Sequence, residues 1–340
     1  MRCFLRIVSA GLLFASGSAF GCELCAIYSA DNARGASSSG FLVSISEQFV
    51  PYRVTQFEGE EFEFDDRDHL DSSITHIVPT YNFSPRFGLS LNVPIVYNSF
   101  KRTDFRYSTT PPSPVLETER GSEFGISDVA LIGRGTVFQL DKTDYAMTVN
   151  VLAGVKFPTG DSSRIQEEIE QSRIFDSFVP PGTPHDPLSH SISGVHQHMI
   201  APGSGSYDGI FGLTLNTRWK RLFFNSQFQY YLRTEGEHEF EFGDEILVSG
   251  GPGGYLVVHD EWTLGLQFNG FYESEARDKI LGQKTDRTSM TAWYVGPQLS
   301  LTWGDRLAAN AGADFPLRIA NNGLQNVPEY RIHGGVSFRF

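Results

Sequence analysis

Tyr330-Arg-Ile332-His-Gly334-Gly-Val336-Ser-Phe338-Arg-Phe340 closes the chain. Successive side chains of a strand point to opposite faces. One face of this segment is therefore Tyr330, Ile332, Gly334, Val336, Phe338 and Phe340, all apolar or small, and the other carries Arg331, His333, Ser337 and Arg339. A half-apolar strand that ends on an aromatic residue fits a transmembrane barrel, where the outer face of the closing strand meets lipid and the inner face meets a polar lumen.

The amino end agrees. Arg2 and Arg6 precede an apolar run from Ile7 to Phe20, which falls short of the ~20 residues a membrane-spanning helix needs. The run reads as a secretory signal, residues 1–21, with Ala19 and Gly21 before a cut at Cys22, or Gly17 and Ala19 before a cut at Phe20. Acylation of Cys22 is the alternative, and Phe20 sits badly in that motif. No later stretch approaches a spanning helix, and the mean hydropathy is −0.22. That excludes a helical membrane protein but not a barrel, whose strands are apolar on one face only. A net charge of −13 argues against nucleic-acid binding.

Period-two alternation bounded by turn residues predicts twelve strands, at roughly 41–57, 70–83, 86–98, 124–138, 142–157, 206–218, 220–235, 245–259, 261–274, 287–303, 305–318 and 328–340. Phe87-Gly-Leu89-Ser-Leu91-Asn-Val93-Pro-Ile95-Val-Tyr97 is the clearest. The connections alternate. Short ones lie near Pro85, Asp141, Trp219, Asp260 and Gly304, and long ones at 58–69, 99–123, 158–205, 236–244, 275–286 and 319–327. Outer-membrane barrels have short periplasmic turns and long extracellular loops. The expected architecture is an all-β, antiparallel up-and-down barrel over 41–340 in the Gram-negative outer membrane, with both termini periplasmic. Its expected partners are membrane lipid, the barrel assembly machinery and a small solute.

The faces expected to point inward are polar. They include Asp128 and Arg134, Asp208 and Arg218, Gln229 and Arg233, Glu273, and Asp314 and Arg318. Charges of both signs across a lumen suit polar or zwitterionic solutes; the plainer reading is that they fill a narrow barrel with ion pairs. Arg233 and Arg318 are expected at the outer mouth, where unpaired positive charge favours anions. Strand one fits least well: Glu47 shares a face with Val43 and Ile45, which predicts a bulge or a register shift there.

Residues 22–40 form a separate periplasmic segment, a plug or cap followed by a linker. Cys22-Glu-Leu-Cys25 within it is a structural disulfide or a contact for a periplasmic redox or metal partner. Loop 158–205 is long enough to fold inward as a constriction. Its His196 and His198 are candidates for a transition-metal pair, set against plain exposed histidines, and no metal or cofactor is assigned. Two acid–aromatic runs, Glu60 to Asp66 and Glu237 to Phe242, predict strands that continue above the membrane with a solvated rim. A barrel lipase needs a Ser and a His on its outer face, and no such constellation stands out; no enzyme is expected.

Three segments carry a resemblance. Gly125-Ile-Ser-Asp128-Val-Ala-Leu-Ile-Gly133, Gly154-Val-Lys156-Phe157-Pro158-Thr159-Gly160-Asp161 and Gly203-Ser-Gly-Ser-Tyr207-Asp208 resemble, in order and form, the outer-membrane barrel family named for the meta-pathway of phenol degradation. The resemblance covers roughly 70–340. It implies an outer-membrane transporter passing a small solute, aromatic solutes among them, and it names no substrate. The Cys-x-x-Cys end departs from that pattern and is similar to the barrel subunits of porin–cytochrome electron conduits, which have far more strands. A barrel that sheathes or docks a periplasmic redox partner is therefore the alternative expectation.

Overall fold

The computed structural model describes residues 39–62, 68–110 and 112–340. The expected signal peptide and the Cys22–Cys25 pair lie outside them. Twelve antiparallel strands close into one barrel. They are β1 Gly40–Phe57, β2 His69–Ser84, β3 Phe87–Thr109, β4 in two runs (Pro112–Ile126 and Val129–Asp141), β5 Tyr145–Phe157, β6 Asp208–Trp219, β7 Leu222–Leu232, β8 Glu245–Val258, β9 Trp262–Glu275, β10 Met290–Trp303, β11 Leu307–Asn321 and β12, again in two runs (Leu324–Pro328 and Arg331–Arg339). Each strand pairs with its neighbour in sequence, and β12 returns to β1. No edge is left along the seam, which removes the usual aggregation hazard of an open sheet.

The alternation of residue types decides which face goes where. On β7, Phe224, Phe228 and Leu232 face out while Gln227, Gln229 and Tyr231 are buried inside. Phe83, Phe87, Trp219, Leu222 and Trp303 stand on the outer wall toward the short-turn end. Tyr97, Tyr207 and Trp293 stand toward the other. In water such a wall would aggregate; against lipid it is the expected surface with its two aromatic girdles. At the seam the register runs from Leu42↔Arg339 to Phe49↔Ile332. The Ser44 and Ser337 hydroxyls meet inside at 2.8 Å, and the Phe340 N–H donates to the Phe41 carbonyl at 3.0 Å.

The connections at one end (85–86, 142–144, 220–221, 259–261 and 304–306) are short, and this is the turn end. The other is the loop end, and it differs from expectation in several ways. The stretch 99–123 is a hairpin rather than a loop: β3 and the first run of β4 stay paired from Ile95↔Ile126 to Thr109↔Pro112 and stand beyond the rim. The β11–β12 connection shrinks to a tight turn at Asn322 and Gly323, whose φ of +66° favours glycine. β7 stops at Leu232, and the following acid–aromatic run is not a solvated strand. Its Phe240–Glu241 joins Lys279–Ile280 and Gln283–Lys284 in a small three-stranded sheet. Phe240 and Phe242 are buried there with Ile165, Ile169, Leu188 and Ile280, as the core of a cap.

Glu47 also departs from expectation. Pairing between β1 and β2 is unbroken from Gly40↔Asn82 to Tyr52↔Leu70, so no bulge turns it inward. It stays on the outer face and accepts hydrogen bonds from the Ser73 and Thr75 hydroxyls of β2. Those two donors satisfy a carboxylate that would otherwise face lipid bare.

The closed seam predicts that a Ser44→Cys/Ser337→Cys variant forms a disulfide without a shift of register. Oxidised, it should keep its folded-barrel migration in gel electrophoresis after boiling, and reduction should restore the ordinary heat shift. A boiled, oxidised variant that runs like wild type would contradict this register.

Candidate functional site

The three segments that carry the family resemblance converge on one knot at the loop end. Asp128 sits between the two runs of β4, Lys156 near the end of β5, and Asp208 opens β6. The Lys156 ammonium lies 3.0 Å from Asp128 and 2.6 Å from Asp208, with all three side chains almost fully buried. Asp128 also accepts from the Gly160 N–H at 3.0 Å, the Ser204 N–H at 2.9 Å and the Ser204 hydroxyl at 2.6 Å. Gly160 and Gly203 touch backbone to backbone, and a Cβ on Gly160 would lie 2.6 Å from the Gly203 Cα. The motif residues thus staple together the two stems of the 158–207 loop.

Between its stems the loop folds inward. It holds α1 (Ser163–Asp176) and a single turn, α2 (Gln197–Ile200). Val195, Met199 and Ile200 enter the barrel and pack on inward-facing Val50, Tyr52, Phe100, Ile132, Tyr231 and Tyr294, among others. Polar groups hold the segment in place. Asn98 Nδ2 donates to the Ile200 carbonyl at 3.0 Å, and Arg102 Nε to the Val195 carbonyl at 3.1 Å. The Ser191 hydroxyl and the Ile192 N–H donate to Asp104, Ser193 to Asp68, and the Asn326 N–H to the Gly194 carbonyl. The result is an apolar layer across the lumen.

On the turn side of that layer, Arg331 of β12 pairs with Glu273 of β9, and its guanidinium lies over the Tyr294 ring at 4.0 Å and the Phe271 ring at 5.0 Å. Below this pair is a cavity of about 60 Å³ lined mainly by Gln and Asn side chains. Toward the loop end lies a second cavity, of about 290 Å³, between α1 and the β3–β4 hairpin. Its lining includes Arg102, Asp104, Glu119, Arg164, Glu168 and His190.

Most residues expected on the inner face are there, but their partners change what they can do. Arg233 is not an unpaired charge at a mouth: it reaches Asp208 at 3.0 Å and Glu245 at 2.9 Å. Arg134 binds Asn82 at 2.7 Å in the turn-end half, where Arg218 also points inward on β6. Gln229 is fully buried and accepts from Tyr231 at 3.4 Å. Asp314 faces His333 at 3.4 Å. Arg318 is a correction. The ladder shifts register so that Trp293 opposes Arg318 while Tyr294 opposes Pro316, leaving Leu317 as the extra residue. That bulge turns Arg318 out to the exposed face beside Trp293. Residues of weight that the sequence did not single out are Lys156, Arg102, Asp104, Glu168 and the apolar trio of the loop. For Lys156 the available signal was its place inside the second motif.

His196 and His198 are also corrected. They are buried rather than exposed, and their rings stack 5.4 Å apart at 9°. Glu168 of α1 accepts from His198 Nδ1 at 2.6 Å and caps α2 by accepting the Gln197 and His198 N–H groups at 3.2 Å. His198 Nε2 faces Asp278 at 3.7 Å, and both ring nitrogens of His196 lack a hydrogen-bond partner. Among the described residues no three His, Cys, Asp or Glu side chains are placed to hold a metal ion.

Burial acts against a charged His198, but the charge of Glu168, the hydrogen bond to it and Asp278 outweigh burial and raise its pKa. Burial would raise Glu168, yet His198, His196 and Arg102 hold it well below the usual carboxylate range. Burial pushes His196 down to about 4 and Asp278 up to about 6. It lowers His190 too, against the pull of Glu168 and Asp104. His198 therefore contributes stability fully below its ordinary 6.5 and loses it as the pH rises through its raised folded value. His196 works the other way, contributing above 6.5 and losing its share as the pH falls toward about 4. Asp278 contributes below its ordinary 3.8 and loses its share as the pH rises past about 6.

No family model and no curated protein matches this chain. Solved structures do. An outer membrane channel from Pseudomonas putida F1 aligns with a TM-score of 0.58 at 9% identity, covering 91% of this chain and 98% of that one. The β domain of the Bordetella autotransporter BrkA aligns at 0.42 and 8% identity, covering 89% and 100%. The CymD monoaromatic hydrocarbon channel aligns at 0.37 and 7%, covering 89% of each. At 9% identity the first of these likenesses is one of fold, and the fold is that of an outer-membrane β-barrel.

Two outcomes follow from the knot and the histidine cluster. Lys156→Met leaves Asp128 and Asp208 buried without their shared cation and should cost about 3–5 kcal/mol, read from the urea midpoint of the folded barrel. The protection factor of amides in 188–200, which divides out the base-catalysed intrinsic rate, should fall as the pH rises through the raised His198 value, while between 6.5 and 4 His196 and Asp278 act in opposite directions. His198→Gln should flatten the alkaline limb, and His196→Leu should leave protection rising as the pH falls from 6.5 to 4; identical profiles in wild type and variants would exclude this cluster as the source.

Proposed function

We propose that this protein is an outer-membrane channel for a small solute, held closed by the inserted segment 194–200. The observation that carries the reading is the layering of the lumen. A polar cavity lies on each side of a single apolar layer, and a loop rather than the barrel wall supplies the segment that completes it. A barrel packed only for stability has no need of polar cavities on both sides of its packing. The channel reading places the loop end outside the cell and both termini in the periplasm, because short turns face the periplasm in barrels of this class. The larger outer cavity then receives the solute, and the Gln- and Asn-lined cavity passes it inward. Membrane lipid, the barrel assembly machinery and the solute are its partners, and such a channel performs no chemistry on what it carries. The second reading, a sheath or docking barrel for a periplasmic redox or metal partner at Cys22 and Cys25, draws on the same filled lumen.

Conductance separates the two. Replacing Val195, Met199 and Ile200 together by Ser removes apolar groups worth ~1.5–3 kcal/mol each from the layer while leaving both stems of the loop stapled. Wild type in planar bilayers should show low conductance with brief openings, and the triple variant at least a tenfold rise, with heat-modifiable migration retained. A folded variant that neither conducts nor passes solutes into liposomes would favour the sheath.

A further inference from the structure

We propose that the lumen cavity on the turn side of the closed layer is a binding site for small neutral polyols and amides; this names the solute class and rests on the channel reading. The site is a single register row around half the wall. Gln267 of β9 stands opposite Gln298 of β10, Gln298 opposite Gly312 of β11, Gly312 opposite His333 of β12, and His333 opposite Gln48 of β1. The row is spaced by design of its glycine: a Cβ on Gly312 would lie 2.7 Å from the His333 ring.

The amides are oriented, not loose. Asn269 Nδ2 donates to Gln298 Oε1 at 2.7 Å, and Gln267 Nε2 to the Gly251 carbonyl at 3.0 Å. Two donors on the cavity lining lack an acceptor. They are Nε2 of Gln48, a residue 6% exposed, and Nε of Arg331, a residue 2% exposed. Buried donors in that state cost free energy, which a small turn of either side chain toward a ligand oxygen recovers.

Charge narrows the ligand. Arg331 is matched by Glu273, and Asp314, 3.4 Å from the His333 ring, adds a carboxylate to a lining otherwise rich in amide dipoles. An anion entering would shed its hydration for dipoles beside that carboxylate, whereas a hydroxyl or amide exchanges its water hydrogen bonds one for one.

The test is binding read apart from transport. Saturation-transfer NMR on the full-length protein in deuterated detergent should show transfer to glycerol and acetamide, and at least fivefold less to acetate. Gln48→Leu/Gln298→Leu, which keeps side-chain bulk and removes both amides, should reduce the glycerol signal at least threefold while heat-modifiable migration is unchanged. Transfer to acetate equal to that of glycerol, or an undiminished glycerol signal in the folded double variant, would overturn the site. A double variant that fails to fold is replaced by Gln298→Glu, which should shift the preference to methylammonium; an unmoved preference also overturns it. Glycerol binding without glycerol uptake by liposomes, even with the apolar layer opened, would leave the site standing and remove the channel reading.

Discussion

Lys156 is the charge on which the loop end of this barrel depends. Its ammonium is shared by Asp128 and Asp208, three groups from three consecutive wall segments, β4, β5 and β6. Buried ions stay charged only when geometry and hydrogen bonds compensate for lost water. Here the compensation comes from backbone N–H groups at Gly160 and Ser204, so the electrostatic requirement also dictates where the long loop leaves and re-enters the wall. With those stems fixed at the rim, the chain between them is held across the lumen by its own contacts with the wall. The network extends through Asp208 to Arg233 and Glu245, which carries the same constraint on to β7 and β8.

The inserted segment then completes a core that the wall alone does not make. Inward-facing Phe100, Tyr231 and Tyr294 would meet water in an empty lumen; Val195, Met199 and Ile200 cover them. Apolar contact supplies the affinity, and Arg102, Asn98, Asp104 and Asp68 supply the register, since each bonds a named backbone or hydroxyl group of the loop. Glu168 couples the segment to the cap above it by bonding both the N-terminus of α2 and His198.

How much of this was legible in the sequence varied by residue and for physical reasons. Strands were readable because lipid outside and polar groups inside force strict alternation, as on β7 and β12. The same rule failed at Arg318. Period two projects it inward from Asp314, and one unpaired residue at Leu317 reverses the face; Pro316, which cannot donate to a ladder, was the local hint. The β3–β4 hairpin was hidden because Glu117, Glu119, Arg120 and Glu123 read as loop, although above a membrane a strand needs no apolar face. His196 and His198 alternate with Val195, Gln197 and Met199, a short apolar hint set in a loop otherwise rich in Ser, Gly and Pro. Their environment is made by Glu168, Asp278 and Phe240, residues from distant segments that only the closed barrel brings together. The motifs at Asp128, Lys156 and Asp208 were visible as turn geometry, while their shared ion was not.

The inserted loop has a mechanical meaning as well. A closed sheet in a bilayer is a hoop under lateral pressure, and an empty hoop of twelve strands is easily ovalised. The loop is stapled at β4–β6, bonded to β3 at Asn98 and Arg102, and tied through Asp186 to Thr285 and Asp286 between β9 and β10. It spans the cylinder as a cross-brace, carrying tension between distant sectors of the wall. Freeing it therefore softens the outline of the whole barrel, and the shape of the surrounding membrane becomes one of the loads the closed state has to bear.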